Sequence, residues 1–171
     1  MRGRPCPIAL RSANTLKFVM KTILLGLVLL TSFSAFAADT PSIEPTVPND
    51  YVGDARKAIQ AKNWGSAQAS LKLAIRDEPR NADAHNLLAF SYRKQAQPDL
   101  VKAFEHYNIA LKINPSHRGA HEYIGEAYLM DKKPTEAEKH LASLGKICGN
   151  KTCEEFVDLQ RSIKQYKATN K

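Results

Sequence analysis

NADAHNLLAFSYRKQAQPDLVKAFEHYNIALKINP, residues 81–115, is followed after one residue by HRGAHEYIGEAYLMDKKPTEAEKHLASLGKI, residues 117–147. The two stretches superimpose at an offset of 36, with Ala84-His85 on Ala120-His121, Tyr92 on Tyr128 and Pro98 on Pro134. Apolar residues return at helical spacing in both. Each breaks before its proline, whose fixed φ suits the first position of a helix, so each copy reads as two helices joined by a turn. A weaker copy precedes them, with Ala67, Leu71, Ala74 and Pro79 in the places of Ala103, Tyr107, Ala110 and Pro115. Three copies are about the minimum at which stacking buries a continuous core.

The side chains agree with that reading. Ala89, Gly125, Ala103 and Ala137 are expected where the two helices of one repeat approach closely. Leu88, Tyr92, Tyr107, Ile124, Tyr128 and Leu141 are expected to fill the layers between repeats.

Residues 50–147 resemble the tetratricopeptide repeat (TPR) family, a 34-residue helix–turn–helix unit. The third repeat carries His121, Ile124, Gly125 and Tyr128 in its first helix and Ala137, Leu141 and Leu144 in its second. The second repeat carries His85, Leu88, Ala89 and Tyr92, then Ala103, Tyr107, Ala110 and Pro115. His stands where a large aromatic is usual in both first helices, and Leu144 stands where a small residue is usual. The Gln95–Asp99 turn has two extra residues, and Ala55 and Ala58 replace bulkier residues in the first repeat. The resemblance implies an all-α fold, a right-handed α-solenoid of about three repeats (50–79, 80–115 and 116–147).

Residues 148–171 follow as a disulfide loop and a capping helix. Cys148 and Cys153 are five apart around Gly149-Asn150, close enough in sequence to pair. Thr152 and Glu155 read as a capping box opening the last helix. That helix places Phe156, Leu159, Ile163 and Tyr166 on one face and Asp158, Gln160, Arg161, Lys164 and Lys167 on the other. The polar face is what the end of a solenoid requires.

The charge looks informative until the chain is divided. Of 171 residues, 25 are Lys or Arg and 17 Asp or Glu, a net +8 with pI near 9.4. Residues 1–37 hold Arg2, Arg4, Arg11, Lys17 and Lys21 and no acid, which leaves 20 basic against 17 acidic side chains beyond them. A near-balanced, mixed-charge chain gives no argument for nucleic acid. Lys21 followed by the apolar run Ile23–Ala37, ending Ala35-Phe36-Ala37, reads as a cleavable signal peptide, with Met20 a second candidate start. We therefore expect export, periplasmic localisation in a bacterium, and no membrane insertion after cleavage. Residues 38–49, with Pro41, Pro45 and Pro48, read as a disordered linker.

No nucleophile motif, phosphate loop or metal-ligand signature occurs, so no enzyme, cofactor or metal is expected. His117 and His121 are four apart beside Glu122, but His121 sits at the packing position that His85 also fills. His106 and His140 are likewise equivalent, and all read as repeat echoes. If the first helices line a concave groove, Val52, Arg56 and Ile59 face it from the first repeat. Asn86, Phe90, Arg93 and Lys94 face it from the second, and Glu122, Glu126, Leu129 and Met130 from the third. Phe90 stands out as an aromatic not needed by the core stripe. The run from Arg56 and Arg93 to Glu122 and Glu126 suggests an extended peptide with its acidic part toward the first repeats. The groove does not match the Lys/Asn/Arg clamp by which some family members hold a C-terminal carboxylate. The first reading is thus a non-enzymatic adaptor for a protein or peptide partner in the bacterial envelope. The alternatives are a thiol-active accessory protein using Cys148 and Cys153, and self-association through the groove.

Overall fold

The computed structural model describes residues 49–149 and 151–170. The signal peptide read at 1–37 and nearly all of the 38–49 linker lie outside the described residues. Seven helices follow in order: α1 Tyr51–Gln60, α2 Trp64–Asp77, α3 Ala82–Lys94, α4 Leu100–Ile113, α5 Arg118–Met130, α6 Pro134–Ile147 and α7 Glu154–Thr169. Among the described residues there is no strand. The helices pack as successive pairs, α1 with α2, α3 with α4 and α5 with α6, and each pair leans on the next. This is the all-α solenoid of helix–turn–helix repeats expected from the sequence.

Short polar side chains start the helices. Asp50, Asn63, Asn81 and Asp99 each accept a hydrogen bond from a backbone N–H three residues on, satisfying donors that a first turn leaves open. His117 caps α5 in the same way through Nδ1, 3.2 Å from Ala120 N, while Pro134 opens α6 as its first residue. Pro98 does not play that part, since α4 begins at Leu100 behind the Asp99 cap. Two tight turns put Lys62 and Lys132 in the left-handed region, at φ 55° and 58°, and close with Asn63 N to Ala58 O and Lys133 N to Tyr128 O, both at 2.8 Å. In the second repeat the equivalent bond, Asp99 N to Tyr92 O at 3.0 Å, spans two more residues. The insertion removes the need for a left-handed residue and moves Pro98 out of the helix.

The histidines tie the repeats together. His85 Nε2 lies 3.2 Å from Pro79 O at the end of the preceding repeat, and His85 Nδ1 lies 3.0 Å from His106 Nδ1 on α4. One repeat later, His121 reaches Pro115 O at 3.0 Å and His140 Nδ1 at 2.9 Å. A carbonyl only accepts, so Nε2 carries the proton in His85 and His121, and their bare Nδ1 accepts from His106 and His140. Tyr92 stacks on His106 and Tyr128 on His140.

The C-terminal end departs from the sequence reading in two ways. Gly125 makes its nearest approach to the capping helix: a Cβ there would lie 2.7 Å from both Cδ atoms of Leu159 on α7. It allows α7, which packs on both α5 and α6, to take the place of a further first helix. Helix α7 also starts at Glu154, with Cys153 at its cap, one residue later than the Thr152–Glu155 capping box placed it. Cys153 makes no side-chain capping bond, and its sulfur is at bonding distance from that of Cys148, with Cα atoms 6.1 Å apart. Gly149, at φ 64°, supplies the left-handed residue that the loop needs after α6.

Two outcomes follow from this packing. Gly125→Leu should lose about 1–3 kcal/mol by overpacking, and denaturant titrations should show a smaller loss in a Leu159→Ala background; equal losses in both would remove the contact. Burial, with its paired histidine adding to it, holds His140 down to about 4, while burial lowers His106 and His121. Glu136 opposes the shift of His140 and Lys139 adds to it; Glu105 and Lys72 act likewise on His106, and His117 further lowers His121. The unfolded chain therefore binds more protons below pH 6.5, so stability falls as pH drops from about 6.5 towards 4. His140→Asn should remove about 1–2 kcal/mol of that loss, after discounting for partial exposure, as read from melting curves across that range.

Candidate functional site

Helices α1, α3 and α5 turn one face towards a common groove. Arg56, Ile59 and Gln60 of α1, Leu87 and Phe90 of α3 and Tyr123 of α5 line a cavity of about 210 Å³. Phe90 is half-buried in a row of rings, with Trp64 edge-on at 6.2 Å and Tyr123 at 4.9 Å. Sequence reasoning selected Arg56, Ile59 and Phe90 but missed Gln60, Leu87, Trp64 and Tyr123. A signal was there for two of these: Leu87 and Tyr123 are equivalent at the 36-residue offset and follow directly on Asn86 and Glu122.

Arg93, expected on the open face, is buried at 5% exposure. Its guanidinium carbon lies 5.4 and 5.7 Å from the Phe90 and Tyr123 ring centres. Nε donates to the Tyr107 hydroxyl at 3.3 Å, and Nη2 is 2.7 Å from Glu126 Oε2. Burial works against the Arg93 charge, and Tyr107 and Glu126 together more than restore it. Tyr107 has no exposed surface, and burial raises its hydroxyl well above the usual range. The Arg-to-Glu gradient is thereby corrected: Arg93 and Glu126, placed at opposite poles of it, neutralise each other inside the wall.

The other selected residues divide between core and surface. Asn86 and Leu129 are buried, at 5% and 8% exposure. Val52 and Ile59 pack on the first core cluster. Arg56 and Lys94 are exposed, Arg56 3.8 Å from Asp83 and Lys94 Nζ 6.0 Å from the Phe90 ring centre. Met130 is exposed beyond the end of this face. Glu122 is half-buried, and its carboxyl is pushed up to about 8 by burial first and then by Glu126, Asp158 and Glu155, against the pull of Arg93. Two of these acids come from α7, so the capping helix contributes to the field around Glu122. Among the described residues, the one cluster of three potential metal ligands is Cys148, Cys153 and Glu155, and its two sulfurs are paired with each other.

A stack of helix pairs with a lined face across their first helices is the architecture of tetratricopeptide-repeat domains, and solved structures of such domains share the fold. The chain is similar to the first TPR domain of human RPAP3, at 19% identity and a TM-score of 0.61, over 70% of this chain and 91% of that one. It is equally similar to the first TPR of Spaghetti (RPAP3) bound to the HSP90 peptide SRMEEVD, at 19% identity and a TM-score of 0.60, over 69% and 90%. No family model and no curated protein sequence matches the chain.

Removing Arg93 strands the Glu126 carboxylate and the Tyr107 hydroxyl. Arg93→Met should cost about 3 kcal/mol, the low end for a broken buried pair because Glu126 is partly exposed. Adding Glu126→Gln should recover part of it. A loss below about 1 kcal/mol by chemical denaturation would make the pair incidental.

Proposed function

We propose that this protein is a non-enzymatic adaptor that holds an extended peptide segment of a protein partner along the α1, α3 and α5 face. The observation that carries the proposal is the cavity bounded by Arg56, Ile59, Gln60, Leu87, Phe90 and Tyr123. Side chains from three successive repeats converge there, leaving room for one apolar side chain of a ligand. The peptide complex of Spaghetti gives a precedent for the fold. That peptide, SRMEEVD, is acidic, and the present groove lacks the Lys/Asn/Arg clamp suited to a terminal carboxylate, so a different ligand chemistry is to be sought.

The compartment belongs to the proposal as well. The leader ending at Ala37 supports export to the bacterial periplasm, where an oxidising environment suits the pairing of Cys148 with Cys153. The pair joins α6 to α7 and lines no part of the Arg56–Tyr123 cavity, so we assign it to holding the capping helix and not to thiol exchange.

A photoreactive residue at Gln60, introduced in cells, should capture a partner identifiable by mass. Phe90→Ala should reduce that capture about tenfold while leaving the circular dichroism of the protein unchanged. Capture indifferent to Phe90→Ala and to Leu87→Asp would remove the groove from consideration.

A further inference from the structure

The third repeat lacks a side chain that the other two have. In the register that aligns His106 with His140, Ile75 of α2 and Leu111 of α4 pack on the first core cluster, and Gly145 of α6 stands in their place. A Cβ on Gly145 would just meet the edge of the Phe156 ring, 3.4 Å from Cε2. Where the longer side chain would have continued, a cavity of about 490 Å³ opens between α6 and α7, with Leu141, Ala142, Gly145 and Phe156 in its lining. It shares no lining residue with the Arg56–Tyr123 cavity.

The two ends of this trough differ in charge. At one, Glu138 of α6 lines the cavity and is taken by Lys167 of α7. At the other stand Lys146, in the last turn of α6, and Lys151, in the disulfide loop. Both lysines are exposed and, among the described residues, neither has an ion-pair partner. The bond between Cys148 and Cys153 ties the loop that carries Lys151 to the end of α6. The trough thus offers an apolar floor with uncompensated positive charge at one end only.

We propose that this trough docks an amphipathic helix of a protein partner, with its apolar stripe on the floor and acidic side chains beside Lys146 and Lys151. From Glu138 to Lys146 the floor runs about 12 Å along α6, or about two turns of a bound helix. Ala142 and Gly145, three apart on one face of α6, carry so little side chain that a second helix can approach closely. Such docking is read through apolar anchors three and four residues apart, and the two lysines add a direction and a charge preference. This site is separate from the peptide groove across α1, α3 and α5, and does not depend on that groove being occupied.

Display selection on the purified, disulfide-bonded protein tests the proposal. The library is one of short amphipathic helices with Leu, Ile, Phe or Ala along one stripe and Glu, Lys or Gln beside it. The expected result is enrichment of Glu over Lys on the flank of the stripe. A synthetic peptide of the enriched sequence should lose about tenfold in affinity on Ala142→Trp, which fills the trough from an exposed position. The double variant Lys146→Glu, Lys151→Glu, at two exposed positions, should weaken it by about as much, and Phe90→Ala should leave it unchanged. No enrichment, or enriched helices flanked by Lys or indifferent to both trough variants, would overturn the proposal. Helices that Phe90→Ala releases and Ala142→Trp does not would belong to the α1, α3 and α5 groove, overturning this site and leaving the first reading standing. Dimers in sedimentation that Ala142→Trp disperses would replace the partner helix by a second copy of the chain.

Discussion

The architecture hangs on a hydrogen-bonded rung that occurs twice. In each, the carbonyl of the proline closing one repeat accepts from a histidine on the next first helix, and that histidine accepts in turn from a histidine on the second helix. Three elements are tied by one pair of rings: the end of one repeat and both helices of the following one. A phenyl ring at His85 or His121 would fill the same space but could hold neither the carbonyl nor the partner. The rung is thus a packing unit and a connector at once, and its Nδ1–Nδ1 contact requires one bare nitrogen in each pair.

The charged groups of the groove answer to the same economy of shared contacts. Arg93 lies between the rings of Phe90 and Tyr123 while pairing with Glu126 and Tyr107. The aromatic cavity and the acids around Glu122 are therefore joined through one guanidinium. With Glu126 engaged by Arg93, Glu155 by Arg118 and Asp158 by Arg161, the internal pairing leaves Glu122 as the carboxyl for which the chain has provided least.

The fold was legible because its determinants are periodic. Alanines at 67, 103 and 137 and the ring pairs at 92 and 128 recur at repeat spacing, and a period needs no coordinates to be seen. What escaped the sequence depends on which faces meet across repeats. His85 and His106 were visible as echoes of His121 and His140, but not as partners, since they are 21 residues apart on different helices. Arg93 and Glu126 looked like separate surface charges because their pairing crosses from one repeat to the next. Asp158 looked like part of a solvated helix face, and only the docking of α7 on α5 brings it towards Glu122. Gly125 was correctly marked as a close approach, yet its neighbour is Leu159 of the cap, which no repeat register announces.

That last contact constrains how the chain could change in length. Solenoids commonly grow or shrink by duplication and loss of whole repeats, because each unit touches only its neighbours. Here the terminating helix also supplies Glu155 and Asp158 to the field around Glu122. A repeat inserted between α6 and α7 would leave a well-packed solenoid while carrying those two acids away from α5. An added repeat would also part Gly125 from Leu159, so a modular architecture has lost its modularity at one joint.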